Sequence, residues 1–270
     1  MEAGESIFAR AVLEGRPLEG ELVIDCHVHL GPWHNFHIPD NGPEGLLRSM
    51  DLVGIDLAVC SPHRAIAHDY RGGNDEVAAF HRAHPDRVRP YVTINPNYPA
   101  EEVADEIGRW RKEGLLLGFK IHPSEMHYAA DGEKLVPLWE AAQELGLPVL
   151  VHSWASDDYA SPATLGKLAD RYPAAKVIVA HSATTWEMIE QATTEAQRRD
   201  NVLLDLTGSS MLPGALETMV ESVGAEKILF GTDVPFIDPR PQVGRVALAR
   251  ISDDDKRLIF GLNAKRVFGV

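Results

Sequence analysis

The fold of this chain is decided by residues 22–30, which read Leu22-Val23-Ile24-Asp25-Cys26-His27-Val28-His29-Leu30. The apolar, β-branched start of this stretch predicts a β-strand. Because side chains on a strand alternate between its two faces, we expect Asp25, His27 and His29 on one face and apolar groups on the other. A strand buried on both faces is typical of a parallel sheet in an α/β protein. The two imidazoles are suited to bind one divalent cation, although a His-x-His pair alone fits hydrogen bonding inside a core equally well.

The length of the chain predicts one domain. The 270 residues are 44% hydrophobic, which is enough for a single large core. We therefore expect one barrel-like domain over residues 1–270, with an N-terminal arm or helix over 1–20 and terminal helices over 251–270. The two cysteines, Cys26 and Cys60, lie in apolar runs and are expected to be buried thiols in a reducing compartment.

Charge and hydropathy exclude several classes of partner. The formal net charge is -14 and no basic cluster stands out, so we expect no nucleic-acid partner. No apolar run reaches the roughly 18 residues of a membrane span, and residues 1–20 lack an apolar signal core. The sequence therefore predicts a cytoplasmic protein that acts on a small molecule, with a homodimer as the default oligomer.

A strand–helix unit recurs along the chain and predicts the fold class. Strands are expected at 22–29, 55–60, 88–94, 115–121, 148–152, 176–180, 201–206 and 227–230. Helices fill the intervals, with Asn41 and Asn74 as expected N-caps of two of them. Eight such units in about 250 residues predict an α/β protein with a (β/α)8 TIM barrel. A doubly wound open sheet is the alternative, but no Gly-rich phosphate loop follows any strand.

Histidine or aspartate recurs at the C-terminal ends of the predicted strands, where barrel enzymes hold their active sites. These residues are His27, His29, His63, His122, His152, His181, Asp205 and Asp233. Purely structural histidines would fall anywhere along the strands. The recurrence at one end therefore favours a metal site there over a set of core histidines.

The ordered set Asp25-x-His27-x-His29, His152, His181 and Gly231-Thr232-Asp233 resembles the amidohydrolase superfamily of metal-dependent barrels. Across residues 22–270 the sequence is most similar to its "amidohydrolase 2" branch, which includes hydrolases and non-oxidative decarboxylases. The resemblance implies that a first metal is held by His27, His29, His152 and Asp233. It also implies that His181 binds a second metal or contacts the substrate or the attacking water, and that Asp25 orients a neighbouring group.

Three imidazoles and a carboxylate suit a divalent metal, with Zn²⁺ expected first and Mn²⁺, Fe²⁺ or Co²⁺ also suited, as one or two ions. Such a metal lowers the pKa of a bound water to about 7, and Asp233 can then act as general acid and base while the metal, His181 or both stabilise the oxyanion. The first hypothesis is a hydrolase of a C–N amide or an ester or lactone bond. The alternative is a non-oxidative decarboxylase of an aromatic or unsaturated carboxylic acid. A barrel that binds without catalysis is the third.

Lys120 decides between one metal and two, and three interpretations of it stay open. It can be carboxylated and bridge two ions, bind a substrate carboxylate as an ammonium, or pair with an acidic residue inside the core. His122 shares its strand face and is expected to contact substrate. On neighbouring loops, His63, Trp33 and Trp154 are further candidates for substrate binding.

Overall fold

The computed structural model describes residues 6–210 and 212–270. Within them the chain alternates between strands and helices, and every strand pairing is parallel. The strand segments are β1 (Ile24–Leu30), β2 (Leu57–Pro62), β3 (Val88–Pro90), β4 (Val92–Thr93), β5 (Phe119–Ile121), β6 (Pro148–Val151), β7 (Lys176–Val179), β8 (Val202–Asp205) and β9 (Ile228–Leu229).

The strands close into a ring with eight positions. They pair in the orders β1-β2-β3 and β4-β5-β6-β7-β8-β9. Between β3 and β4 lies only Tyr91, whose amide donates to the carbonyl of Cys60 at 2.8 Å, so the two segments form one barrel strand. The amide of Cys26 donates to the carbonyl of Phe230 at 3.0 Å and joins the last strand to the first. The predicted TIM barrel is confirmed.

Helices follow the strands and cover the outside of the barrel. They are α1 (Ile7–Leu13), α2 (Pro43–Val53), α3 (His63–Ala67), α4 (Tyr70–Ala83), α5 (Ala100–Glu113), α6 (Pro123–Met126), α7 (Val136–Leu145), α8 (Pro162–Arg171), α9 (Trp186–Arg198), α10 (Ala215–Val223), α11 (Pro239–Ala247), α12 (Asp253–Arg257) and α13 (Asn263–Phe268). A π-helical turn, Leu258–Leu262, joins the last two. Of the predicted N-terminal arm, residues 1–5 lie outside the described part of the chain. No helix in the described ranges is long and apolar enough to cross a membrane.

Two of the predicted helix caps are wrong. The N-cap of α2 is Gly42, while the Asn41 side chain donates to the carbonyl of Ile38 at 2.6 Å. The helix assigned to an Asn74 cap begins earlier, because Asp69 already caps it by accepting from a backbone amide. Asn74 is instead buried inside α4, where its amide nitrogen donates to Glu106 of α5 at 3.0 Å and holds the two helices together.

The barrel interior is filled by one apolar cluster and the space between strands and helices by another. Interior positions in register across adjacent strands include Leu150, Ile178 and Leu203. Lys120 is paired with Leu150 and is buried in the same row, one layer below the mouth of the barrel. The ends of these strands therefore carry the polar groups that open towards the surface.

The predicted face alternation of β1 is broken by a bulge. Its pairing with β2 shifts register between Asp25 and Val28. Ile24 and Cys26 pack in the interior cluster, whereas Val28 packs in the outer one. The prediction that these apolar residues share one face is therefore wrong, because one extra residue in a strand moves the alternation by one position.

Candidate active site

A cavity of about 300 Å³ opens at the C-terminal ends of the strands. Its lining includes seven residues that the sequence analysis singled out: His29, Trp33, His122, His152, Trp154, His181 and Asp233. The other lining residues are Phe36, Ile66, Gly208, Ser209, Phe236 and Ile237. His27, Lys120 and His63 are fully buried behind this lining. The sequence therefore located the cavity, and the polar candidates fall either on its wall or directly behind it.

Three of the expected metal ligands converge at one side of the cavity. Ligand atoms of His27, His29 and Asp233 all lie within 4.8 Å of one another, and we call these residues the triad. The Oδ1 atom of Asp233 is 3.7 Å from Nε2 of His27 and 3.3 Å from Nε2 of His29. Two imidazole nitrogens and a carboxylate are ligands that divalent transition metals accept in catalytic sites.

Both triad histidines are oriented by partners on their other ring nitrogen. Nδ1 of His27 donates to Oδ2 of Asp205 at 2.8 Å, and Nδ1 of His29 lies 3.0 Å from the hydroxyl of Ser61. A carboxylate only accepts, so the proton of neutral His27 sits on Nδ1 and its lone pair on Nε2. This arrangement is typical of metal-binding histidines, whose second nitrogen is held by a carboxylate or hydroxyl. The donor set therefore fits a divalent cation.

A second cluster of ligand-type residues, formed by His27, His181 and Asp205, does not fit a cation. Oδ2 of Asp205 accepts from Nδ1 of His27 and from the His181 amide, and Oδ1 accepts from the amide and hydroxyl of Thr207. A carboxylate offers about four acceptor positions, and all of them are used. Asp205, which the sequence analysis placed at a strand end without a role, is therefore a support for His27.

The protonation states of the triad also suit metal binding. Burial lowers the pKa of His29 to about 4, so its ring is neutral at pH 7. Burial alone would raise the pKa of Asp233, but the hydrogen bond with His29 and the nearby imidazoles of His27 and His181 hold it well below the usual range. Metal ligands must be deprotonated, so no proton has to leave these groups when a cation binds.

Asp233 and His181 share an unusual backbone conformation. Their φ angles are +66° and +60°, in the left-handed region that residues with a Cβ rarely adopt. His181 lies two residues after the end of β7 and Asp233 four residues after the end of β9, and both line the cavity. Such conformations persist where the surrounding structure fixes them, and they are common in functional sites.

Lys120 lies below the triad. Its Nζ atom is 2.9 Å from Nε2 of His27, and burial lowers its pKa to about 8, although the charges of Asp233 and Asp205 oppose that shift. Among the described residues, no carboxylate lies within 4.0 Å of this Nζ atom, so the predicted pairing with an acidic residue is not observed. The amine faces the lone pair of His27 that a cation would use.

Three further residues form a hydrogen-bonded chain beside the triad, where the ring of His181 lies 5.1 Å from that of His27, measured between centroids. Nε1 of Trp154 donates to Nε2 of His152 at 2.8 Å, and Nδ1 of His152 lies 2.9 Å from Nε2 of His181. Nδ1 of His181 lies 3.1 Å from the carbonyl of Thr207. We call Trp154, His152 and His181 the relay. The expected fourth ligand, His152, is therefore the middle residue of the relay and belongs to neither of the ligand clusters found among residues 6–210 and 212–270.

Of the aromatic wall of the cavity, formed by Trp33, Phe36 and Phe236, the sequence pattern predicted only Trp33. The Phe236 ring lies 5.4 Å from Trp33 and 5.7 Å from Phe36, measured between ring centroids. It also covers His63, which is stacked on His29 at 4.7 Å and buried beneath the wall. The position of Phe236 three residues after Asp233 was the available signal, because a residue so close to a ligand must lie near the site.

A sequence profile described as Amidohydrolase matches residues 24–270 of the chain. The chain belongs to the amidohydrolase family. A relative in this family, the gamma-resorcylate decarboxylase of Polaromonas sp. (strain JS666 / ATCC BAA-500), is 25% identical over an alignment of 281 positions that covers 82% of this chain and 86% of the relative. The resemblance drawn from the ligand pattern is therefore confirmed.

Solved structures of amidohydrolase-fold decarboxylases have the same fold. The 5-carboxyvanillate decarboxylase of Novosphingobium aromaticivorans, complexed with manganese and 4-hydroxy-3-methoxy-5-nitrobenzoic acid, matches with a TM-score of 0.73 at 18% identity, covering 94% of this chain and 97% of that one. A dihydroxybenzoic acid decarboxylase of Polaromonas sp. JS666, with bound manganese and 2-nitroresorcinol, matches with a TM-score of 0.70 at 19% identity, covering 92% and 97%.

These comparisons correct two predictions about this amidohydrolase-family enzyme. The first hypothesis, hydrolysis of an amide, ester or lactone bond, is wrong, because the relatives are decarboxylases of aromatic acids. The same relatives support the alternative hypothesis, a decarboxylase, instead. A divalent metal is supported as well, but zinc in particular is not, since the neighbouring structures hold manganese.

Proposed function

We propose that this chain is a metal-dependent, non-oxidative decarboxylase of an aromatic carboxylic acid. The observation that carries the proposal is the position of the triad, which reaches an aromatic-walled cavity through His29 and Asp233. At about 300 Å³ the cavity is at the small end of the range for ligand pockets, which suits a single substituted ring. The activity of the 25%-identical relative supports the same reaction class.

The cavity wall matches an aromatic substrate. Trp33, Phe36 and Phe236 present ring faces and edges to it, and such surfaces favour offset or edge-to-face contacts with another ring. The lining residues of the described chain include no lysine or arginine. The substrate carboxylate must therefore be held at the triad, and the ring against the aromatic wall.

We assign the metal site to the triad and propose Mn²⁺ as its occupant, one ion per chain. A divalent cation supplies the positive charge that binds the substrate carboxylate and a neighbouring oxygen. Asp205 and Ser61 keep the two imidazoles aimed at that position. In this proposal Lys120 stays an unmodified amine, since the other ligand-type cluster found among the described residues has the acceptor positions of its Asp205 carboxylate already used.

Asp233 is proposed to deliver the proton that replaces the carboxylate. The C–C bond to the carboxylate breaks, the electron pair stays on the ring carbon, carbon dioxide leaves, and a proton forms the new C–H bond. Because its pKa is held low, Asp233 is ionised in the resting enzyme. An anionic substrate beside it raises that pKa, so Asp233 takes up a proton from water after binding and passes it on.

His122 is proposed to orient the substrate. Its Nδ1 accepts from the amide of Glu125 at 3.3 Å, at the start of α6. The proton of the neutral ring is therefore on Nε2, and His122, which lines the cavity, offers a hydrogen-bond donor to a substrate oxygen. Burial, assisted by the charge of Lys120, holds the pKa of His122 well below its usual value and keeps the ring neutral.

The reaction is tested with Mn²⁺-loaded protein and a panel of hydroxylated benzoic acids that includes 2,6-dihydroxybenzoate and 5-carboxyvanillate. We expect carbon dioxide and the matching phenol in equal amounts, with one deuterium at the vacated ring position when the reaction runs in D₂O. Removal of the metal with EDTA should stop it. Absence of carbon dioxide from every acid at full Mn²⁺ occupancy, or release that survives EDTA, would contradict the proposal.

A further inference from the structure

The hydrogen bonds of the relay run in one direction only. At one end, the indole nitrogen of Trp154 can donate but cannot accept. At the other end, the carbonyl of Thr207 can accept but cannot donate, so His181 must carry a proton on Nδ1. His152 must accept on Nε2, because that atom faces the indole N–H at 2.8 Å.

These two ends fix the tautomers of both histidines. A neutral His152 that accepts on Nε2 carries its proton on Nδ1 and donates it to Nε2 of His181 at 2.9 Å. A second proton on His152 would lie on Nε2, where it would point at the indole N–H of Trp154 and remove the acceptor of that hydrogen bond. A second proton on His181 would push the proton of His152 to Nε2, against the same indole N–H. The geometry therefore admits two neutral rings in one arrangement.

In this arrangement His152 has no lone pair for a metal. Its Nε2 lone pair accepts from Trp154, and its Nδ1 carries a proton. To bind a cation through Nδ1, the ring would have to move its proton to Nε2, which faces the indole N–H. The hydrogen bond from Trp154 and a metal bond at Nδ1 therefore exclude each other.

We propose that Trp154 controls whether His152 binds the metal: its indole holds His152 in the tautomer that cannot ligate, and ligation by His152 requires the indole to leave. This inference rests on the metal site of the proposed function. The Trp154 side chain lines the cavity and the residue is 40% exposed, so the indole has room to turn towards solvent. Trp154 is thus a positioning residue, which acts on the metal through His152.

The first test compares Mn²⁺ affinity in the wild type and in Trp154→Phe, which keeps an aromatic ring but removes the N–H. Free Mn²⁺ is counted by electron paramagnetic resonance during a titration without substrate. We expect Trp154→Phe to bind Mn²⁺ about fivefold more tightly, the equivalent of one hydrogen bond that no longer has to be broken. The control is Trp186→Phe, at the exposed start of α9, which should bind as the wild type does. Equal or weaker binding by Trp154→Phe would overturn the proposal.

The second test uses the wild-type chain, so it does not depend on the folding of a variant. The chain has five tryptophans, and the indole N–H signal of Trp154 in a ¹⁵N–¹H spectrum is the one missing from Trp154→Phe. Saturation with Zn²⁺, a diamagnetic probe, should move this signal to the position of a water-exposed indole and leave that of Trp186 in place. A Trp154 signal that does not move would refute the release of the indole.

These tests separate the inference from the proposed function because neither uses a substrate. A chain that shows the Trp154 effect but decarboxylates no aromatic acid refutes the function alone. A chain that decarboxylates but binds Mn²⁺ equally well with Trp154→Phe refutes the inference alone.

Discussion

The triad and the relay lie in one cavity and have similar side chains, yet their histidines differ in what they can bind. In the triad, Asp205 accepts from Nδ1 of His27, so the Nε2 lone pair points to the cation position, where the Lys120 amine contacts it at 2.9 Å and must move aside for a cation. In the relay, the indole N–H of Trp154 donates to Nε2 of His152 and occupies the lone pair of that nitrogen. The comparison shows that proximity of ligand-type residues does not define a metal site. The direction of each hydrogen bond decides which nitrogens are free.

The same reasoning explains why one ligand cluster fits a cation and the other does not. Both clusters contain His27 and a carboxylate. The carboxylate of Asp205 already accepts four hydrogen bonds, whereas that of Asp233 lies against imidazole nitrogens and on the cavity wall. The carboxylate with unused acceptor positions is the one placed to meet both metal and substrate.

The largest effect is expected from Asp233→Asn, which keeps the shape of the side chain but cannot deliver a proton. At saturating Mn²⁺, kcat for decarboxylation should fall by about 10²- to 10⁴-fold, the usual contribution of general acid–base catalysis. Asp200→Asn, at a fully exposed surface position, is the matched control and should keep full activity. A kcat of Asp233→Asn within tenfold of the wild type would remove Asp233 from the reaction.

The comparison between triad and relay is tested by removing one histidine from each. His27→Ala should weaken Mn²⁺ binding by more than about 100-fold, beyond the loss expected for a supporting residue. His181→Ala should change it by less than about tenfold, because the Nε2 lone pair of His181 accepts from His152. Equilibrium dialysis with metal analysis measures both variants. If the two variants lose Mn²⁺ affinity equally, His181 is itself a metal ligand and the distinction between triad and relay is wrong.

Asp205→Asn tests whether the carboxylate that accepts from Nδ1 of His27 strengthens metal binding by that ring. The amide can still contact Nδ1, but it no longer offers a charge to hold the Nδ1 proton. We expect Mn²⁺ affinity to fall by about 10- to 100-fold, as for other carboxylates that orient a ligating histidine. Thermal unfolding of the metal-free variant serves as the check that its fold is retained. Wild-type affinity in a folded Asp205→Asn would show that His27 needs no such support.

The smallest effect is expected from Ser61→Ala, which removes the hydroxyl beside Nδ1 of His29. A neutral hydroxyl holds a ring less strongly than a carboxylate, so Mn²⁺ affinity should fall by less than about tenfold, corresponding to one hydrogen bond of about 1 kcal/mol. A loss larger than that of Asp205→Asn would reverse the ranking of the two supports.

The sequence was sufficient to predict the barrel and the types of residue that lie at its mouth. The eight-fold recurrence of strand and helix predicted the ring, and the histidines at strand ends predicted where the cavity would open. It was not sufficient to predict the bulge in β1. A bulge is defined by how β1 pairs with β2, and that pairing register is not visible in the residues of β1 alone. The sequence also showed Asp205 at the end of its strand, but not that it faces His27 two strand positions away.

The contacts that the sequence could not predict are made by residues at strand ends and in loops. His63 was expected on the cavity wall, but the β2 end places it beneath Phe236, where its Nδ1 donates to the carbonyl of Gly31 at 2.7 Å. Trp154 was expected as a substrate contact, and nothing in its position two residues after His152 revealed that its N–H would point back at that ring. Such contacts depend on backbone angles in short loops, which residue types alone do not determine.

The central claim is that the triad forms the metal site, and that the relay contributes a ligand only through His152 after the indole of Trp154 has left that ring. Anomalous diffraction at the manganese absorption edge, from crystals grown with Mn²⁺, tests it most directly. We predict one strong peak per chain, bonded to Nε2 of His27, Nε2 of His29 and a carboxylate oxygen of Asp233, with a bond to His152 only where the Trp154 indole has turned away from that ring. A peak bonded to His152 and His181, with no manganese at His27 and His29, would contradict it.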